Sequence, residues 1–122
     1  MTRQKRSPES LLPLTPAMFQ VLIALADGEK HGYAIIKEVA RRTGGEVRLS
    51  AGTLYAIIRR FEDARVIEES DSRPDAALDD ERRRYYQITS FGREVAQAEA
   101  RRMESALSMA QAKNLILRSK TT

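Results

Sequence analysis

His31 is the only histidine in the chain and cysteine is absent, so histidine-based triads, Cys–His pairs and multi-histidine metal sites find no support. Catalysis would fall to carboxylates. These cluster as Asp71, Asp75, Asp79, Asp80 and Glu81, in a polar stretch where nothing suggests the desolvation that tunes a general acid or base. Gly44-Gly45 closes a helical pattern rather than opening one after a strand, which is not the arrangement of a phosphate-cradling loop. The residues therefore argue against an enzyme and imply neither cofactor nor metal.

A sharper signal follows Ser50. Leu54, Ile57, Ile58 and Phe61 recur at i, i+3, i+4 and i+7 of a helix, which turns Gly52, Thr53, Tyr55, Ala56, Arg59 and Arg60 to the opposite face. Small residues at its start permit close approach to a groove. Thr53 and Tyr55 can bond phosphate, and Arg59 or Arg60 can reach base edges or backbone. An ordinary solvated helix face reads the same from these residues alone, so the order of the surrounding elements has to decide.

A first helix is expected from Thr15-Pro16, a cap followed by proline at the first helical position, with Phe19, Leu22, Ile23 and Ala26 inward until Asp27-Gly28. A second begins near His31-Gly32-Tyr33, buries Ile35, Ile36, Val39 and Ala40, and ends at Gly44-Gly45, with Arg41 and Arg42 near its negative end. The helix capped by Ser50 is the third. The period then changes: Val66-Ile67 opens an extended run into Glu68-Glu69, and Arg84 to Ile88 is a second strand with Tyr86 and Ile88 on one face. The polar segment between them is too long for a tight turn. Three helices followed by a two-stranded hairpin is the plan of a winged helix, whose third helix enters the major groove beside the wing.

From Thr89-Ser90 the chain reads helical to about Leu117, a rod of roughly 40 Å that exceeds what so small a domain can cover. Phe91, Val95, Ala98, Ala106 and Met109 form one apolar stripe on it. Ala96, Ala100, Met103, Leu107, Ala110 and Leu117 form another, suited to a partner copy. Domain boundaries are accordingly expected at 1–13 for a disordered basic tail, 14–90 for the winged helix, 91–117 for the dimerisation helix and 118–122 for a second tail. The 122 residues, 42% hydrophobic and 31% charged, suffice for one core. The net charge of +4 permits attraction to phosphate. Absence of cysteine, of a leader-like apolar run and of a membrane-length segment makes the cytoplasm the expected compartment.

At four places the chain resembles the PadR family of bacterial transcriptional regulators: Leu14-Thr15-Pro16, His31-Gly32-Tyr33-Ala34-Ile35-Ile36, Leu49-Ser50-Ala51-Gly52-Thr53-Leu54-Tyr55, and Arg84 through Gly92. These motifs stand in the family's order and spacing, and the resemblance covers about residues 14 to 115. It implies a homodimer on an inverted-repeat operator, usually a repressor, in some members released by a small molecule entering near the dimer interface. By position it implies DNA contact at Tyr33, Ser50, Thr53, Tyr55 and Arg59, with Arg84 and Tyr85 in the wing strand and Tyr86 in the core. His31 reads as structural within this motif, and the methionines Met103 and Met109 as packing.

Two features depart from the family pattern. Arg65 stands where glycine is usual before the first wing strand, and a left-handed backbone there would be strained. The wing is also acidic, with seven Asp and Glu against four Arg between Val66 and Ser90, whereas residues 1 to 65 carry +4. Arg73 and the run Arg82-Arg83-Arg84 are its only cations, so the third helix and that run are expected to supply most DNA contact. The rival expectation is a winged-helix protein-interaction module without DNA binding, for which the acidic wing is the best argument.

Overall fold

The computed structural model describes residues 6–70 and 84–116. Helix α1 spans Pro16–Leu25, and Thr15 caps it by accepting a hydrogen bond from the Met18 amide at 3.1 Å. Helix α2 spans Gly32–Arg42, α3 spans Ala51–Asp63 and α4 spans Ser90–Ala112. Strand β2 (Ile67–Ser70) pairs antiparallel with β3 (Tyr85–Ile88), Ile67 opposite Ile88 and Ser70 opposite Tyr85. The three-helix unit, the wing and the long final helix are those the sequence suggests.

The sheet has a third strand that the sequence pattern does not reveal. Strand β1, Lys30–His31, pairs antiparallel with β3 on the side away from β2, giving the order β1-β3-β2. Two residues are too few to display an alternation. His31 also caps α2, its Nδ1 accepting from the Ala34 amide at 3.2 Å, and its ring meets Tyr85 edge-on at 5.4 Å. It is thus a structural residue where the strand turns into the helix.

The core joins all of these elements. Leu22 and Leu25 of α1, Ile35 and Val39 of α2, and Leu54, Ile58 and Phe61 of α3 are buried with Val66, Ile67, Tyr86 and Val95. Thr43 and the positive-φ pair Gly44 and Gly45 stop α2, with the Gly45 amide donating back to Ala40 O at 2.8 Å. Ser50 caps α3 through the Thr53 amide at 3.1 Å.

Residues 1–13 are expected to be a solvated tail, but the described part of that segment is ordered. Pro8–Leu11 form a single 3-10 turn capped by Ser7. It packs on α4, and Leu11 and Leu12 lie against the core. Three leucines in four residues, Leu11, Leu12 and Leu14, outweigh the charge that precedes them. The far end of α4 also departs from expectation. It stops at Ala112 because Asn114 adopts a left-handed conformation (φ 61) and the Leu115 amide donates back to Ala110 O at 2.9 Å.

Arg65 does hold the left-handed backbone that the missing glycine implies, with φ 62. Thr89 fastens that turn. Its hydroxyl donates to Arg65 O at 2.7 Å, with Val66 O also within reach, while it accepts the Gly92 amide at 2.9 Å to cap α4.

Candidate nucleic-acid interface

The amphipathic division of α3 is complete. Leu54, Ile57, Ile58 and Phe61 are buried, whereas Ser50, Ala51, Gly52, Thr53, Tyr55, Ala56, Arg59 and Arg60 are exposed. At Gly52 an added Cβ would meet nothing within 4 Å, so the start of the helix presents bare backbone to the outside. Ser50 donates to Thr53 Oγ1 at 3.0 Å, which fixes both hydroxyls at the helix entrance.

Tyr55 is 45% exposed and lies across the start of α2. Its hydroxyl occupies the space that a Cβ on Gly32 would need, 2.5 Å away, so glycine at 32 is what lets the ring settle there. Beside it Tyr33 is 61% exposed, with Lys37 Nζ 5.3 Å from its ring centroid. Through the Tyr55–Gly32 contact the start of α2, where Tyr33 stands, abuts α3.

Arg59 and Arg60 diverge. One hundred degrees of rotation per residue sends Arg59 to the Tyr55 side and Arg60 to the other flank. There Arg60 lines a cleft of about 300 Å³ with Arg6, Leu11, Met18, Phe61 and Asp63. In the wing, Arg84 is exposed but stands 3.7 Å from the Glu69 carboxylate across the strand pair. Tyr85 lies in the wing strand β3 and is buried, its ring edge-on to His31. Tyr86 is buried in the core, and burial pushes its phenol pKa up. Arg73 and Arg82 lie outside the described residues.

Around the wing the surface is acidic. Glu62, Arg65, Glu68 and Glu69 surround a shallow cleft of about 220 Å³, and Gln87 Nε2 donates to Glu68 at 2.8 Å. Sequence reasoning passed over Lys37 and treated Arg41 only as a partner of the α2 dipole. Their spacing from Tyr33, four and eight residues, is the signal that places all three on one face.

The expected dimerisation stripe divides. Ala96 is half-buried against the domain's own core, whereas Ala100, Met103 and Leu107 are exposed and Ala110 partly so. Leu117 lies outside the described residues. The first stripe divides in the same way: Val95 and Ala98 are buried, but Ala106 and Met109 reach beyond the domain and are exposed.

Glu99 is the one buried carboxylate among the described residues, 1% exposed on α4. Arg102 binds it through Nε (2.7 Å) and Nη2 (2.9 Å), and the Leu14 amide donates to it at 3.2 Å. The Arg102 guanidinium holds its pKa below the ordinary value, with the Leu14 amide adding to that effect and burial opposing it. Among the described residues no group of three or more metal-ligating side chains occurs, and no helix is long and apolar enough to cross a membrane.

Comparison with known proteins gives a consistent answer. The model of the transcriptional regulator PadR-like family matches residues 21–98. An uncharacterised protein X of Lysinibacillus sphaericus is 33% identical over 73 residues, which is 60% of this chain and 64% of that protein. The match thus spans just under two thirds of that relative's length. A PadR family transcription regulator from Clostridium difficile superposes with a TM-score of 0.66 at 23% identity, over 79% of this chain and 95% of the other. A transcriptional regulator from Clostridium thermocellum gives 0.65 at 23% identity, covering 79% and 87%.

Proposed function

Because the chain belongs to the transcriptional regulator PadR-like family, we propose that it works as a homodimeric repressor that seats α3 in the major groove of an inverted-repeat operator. The observation that carries this reading is the two-sidedness of α3: the aliphatic edge is fully anchored, and Thr53, Tyr55 and Arg59 project outward. A major groove about 12 Å wide accepts one helix, and the absence of any side chain at Gly52 lets the helix entrance approach the backbone. Ser50, Thr53, Tyr33 and Tyr55 then bond phosphate, and Arg59 reaches the base edges. Arg60 sits on the other flank and takes a backbone role at most. Arg84, half-engaged by Glu69, contributes less than Arg59.

Ala100, Met103, Leu107 and Ala110 on the protruding half of α4 supply the self-complementary apolar surface a two-fold dimer needs, with Leu117 continuing the stripe. Pairing these helices sets two α3 copies about one DNA turn, roughly 34 Å, apart. A small molecule lodged beside the paired helices would alter that separation and release the operator.

The acidic wing favours a second reading, a winged helix that docks a protein instead of DNA. Gel shifts with the fragment upstream of the protein's own gene separate the two. Palindrome-dependent binding that weakens with salt, and weakens further for Arg59→Ala, is expected of the repressor. No shift even at low salt would overturn it in favour of the interaction module.

A further inference from the structure

We propose that the cleft between the N-terminal segment, α1 and the end of α3 binds a free apolar α-amino acid, held by Arg6, Arg60 and Asp63 over an apolar floor. None of the residues lining this cleft belongs to α4, so the site is separate from the seam proposed above. The inference concerns recognition of a small molecule and stands whether or not α3 meets DNA.

The floor is part of the core. Leu14 and Phe61 are buried, and Leu11 and Met18 pack against them half-buried. Both walls are tied down: the Pro8–Leu11 turn packs on α4, the Leu14 amide is bound by Glu99, and α3 is seated through Phe61. The cleft therefore exists before any ligand arrives. Its volume of about 300 Å³ stands at the lower end of the range for small-molecule sites, which suits a molecule of amino-acid size rather than a nucleotide. Met18 and Phe61 favour an aromatic side chain there, since a thioether and a ring both make specific contacts with aromatic rings.

The rim carries charge of both signs. Arg6, Arg60 and Asp63 all line the cleft and all are exposed. Arg60 and Asp63 are i, i+3 neighbours on α3, with Cβ atoms about 5–6 Å apart, a spacing at which opposite charges ordinarily pair. They do not pair. Among the described residues, no ion pair or side-chain hydrogen bond joins Arg6, Arg60 or Asp63 to another residue. Asp63 is also poorly placed for the helix itself, because it is the last residue of α3, where the dipole favours cations. Neither helix stability nor ion pairing accounts for a carboxylate at that position.

An α-amino acid carries on one carbon the three groups that this arrangement addresses. Its carboxylate accepts charge-assisted hydrogen bonds from the Arg6 and Arg60 guanidiniums, its ammonium donates to Asp63, and its side chain lies on Leu11, Met18 and Phe61. A simple carboxylic acid would leave Asp63 facing the ligand without a cation, and a simple amine would leave both guanidiniums without an anion. The bound molecule ties the N-terminal segment to the end of α3, two residues before the left-handed Arg65 turn that leads into β2.

The test is an NMR titration of the full chain with L-phenylalanine, alongside 3-phenylpropionate, which lacks the ammonium, and phenethylamine, which lacks the carboxylate. A ligand of about a dozen non-hydrogen atoms is expected to bind with a Kd of about 1 mM or tighter. The shifts should centre on the amides of residues 60–64 and the Met18 methyl. Each truncated analogue should bind roughly tenfold more weakly, the loss of one charge-assisted contact. D63N should erase the preference for L-phenylalanine over 3-phenylpropionate, and R60Q should weaken both acids by about tenfold. Both positions are exposed, so an unchanged melting temperature without ligand is expected to confirm the fold. No shift at about twenty times the expected Kd, as when a second copy closes the cleft, overturns the inference. So do shifts centred elsewhere, 3-phenylpropionate binding as tightly as the amino acid, or a D63N preference equal to that of the wild type.

Discussion

The first ten residues of α4 and the last thirteen share one continuous helix, yet they are held by different means. Ser90 to Glu99 is fastened at four points: the Thr89 cap on the Arg65–Val66 turn, Gly92 against the Val66 carbonyl, Arg93 Nη2 donating to Ala26 O at 2.8 Å, and Glu99 on the Leu14 amide. From Ala100 to Met109 every residue is exposed. The distal half has the stronger helix propensity, since Phe91, Gly92 and Val95 all lie in the first ten residues, so propensity does not explain which half is held in place. Tertiary anchoring does. A free helix of about a dozen residues is marginal in water, and the distal half persists as an extension of the anchored one, closed at its end by Asn114.

The largest effect should come from Gly92. A Cβ there would overlap the Val66 carbonyl oxygen and press on Ile88. That carbonyl is itself held by the Thr89 amide at 3.0 Å, so it cannot easily retreat. Gly92→Ala is expected to destabilise the domain by about 3 kcal/mol, the upper end of overpacking costs. Thermal melts should show a fall on the order of 15 °C. A drop of only a few degrees would mean that α4 is not seated on the wing root as described.

Glu99→Ala comes next. It leaves the Leu14 amide buried without an acceptor, while Arg102, half-exposed, can turn to water. The expected loss is about 2 kcal/mol by urea unfolding. Glu99→Gln supplies the pH control. Because the folded-state pKa of Glu99 lies below its ordinary 4.5, the stability it adds is fully present above that value and disappears as pH falls through the lower folded value. The gap between wild type and Glu99→Gln should therefore be widest at neutral pH and close below about pH 4.5. A gap that stays constant down to pH 3 would show that the carboxylate charge has no part in holding the N-terminal segment.

How much of this is written in the sequence depends on the range of the interaction. The α3 face was legible because a 3.6-residue period needs only local residues, and the wing because strand formers flank a polar break. Arg65 was legible too, since the missing glycine is a local fact with a local consequence. The anchors of α4 were not. Glu99 reads as one more charge on a solvated helix until Leu14, 85 residues away, is brought beside it. For the same reason the N-terminal segment looked like a tail, and Ala96 like part of a partner stripe.

A smaller change sharpens the contrast at the socket of the anchored half. Arg65→Gly relieves a left-handed backbone that costs an ordinary residue about 1–2 kcal/mol, and greater freedom of the unfolded chain returns part of that. The net gain expected in urea unfolding is about 0.5–1 kcal/mol. A loss instead would show that the Arg65 side chain contributes more than its backbone costs.

The smallest effect on the fold of a single protomer, and the clearest on assembly, should come from Met103→Ser with Leu107→Ser. Both side chains are nearly half-exposed, at 44% and 47%, so trimming them in an isolated protomer removes little packing, on the order of 0.5 kcal/mol or less. If the distal half is covered by a second copy, the wild-type melting temperature rises with protein concentration, because association stabilises only the folded chain. The double variant should lose that dependence and elute as a monomer while keeping its far-ultraviolet dichroism. Wild-type melting that is flat across a hundredfold range of concentration, with a monomeric elution volume, would leave the distal half without a partner of its own kind. In that case the divide at Glu99 would separate a domain from a free arm rather than from a dimer seam.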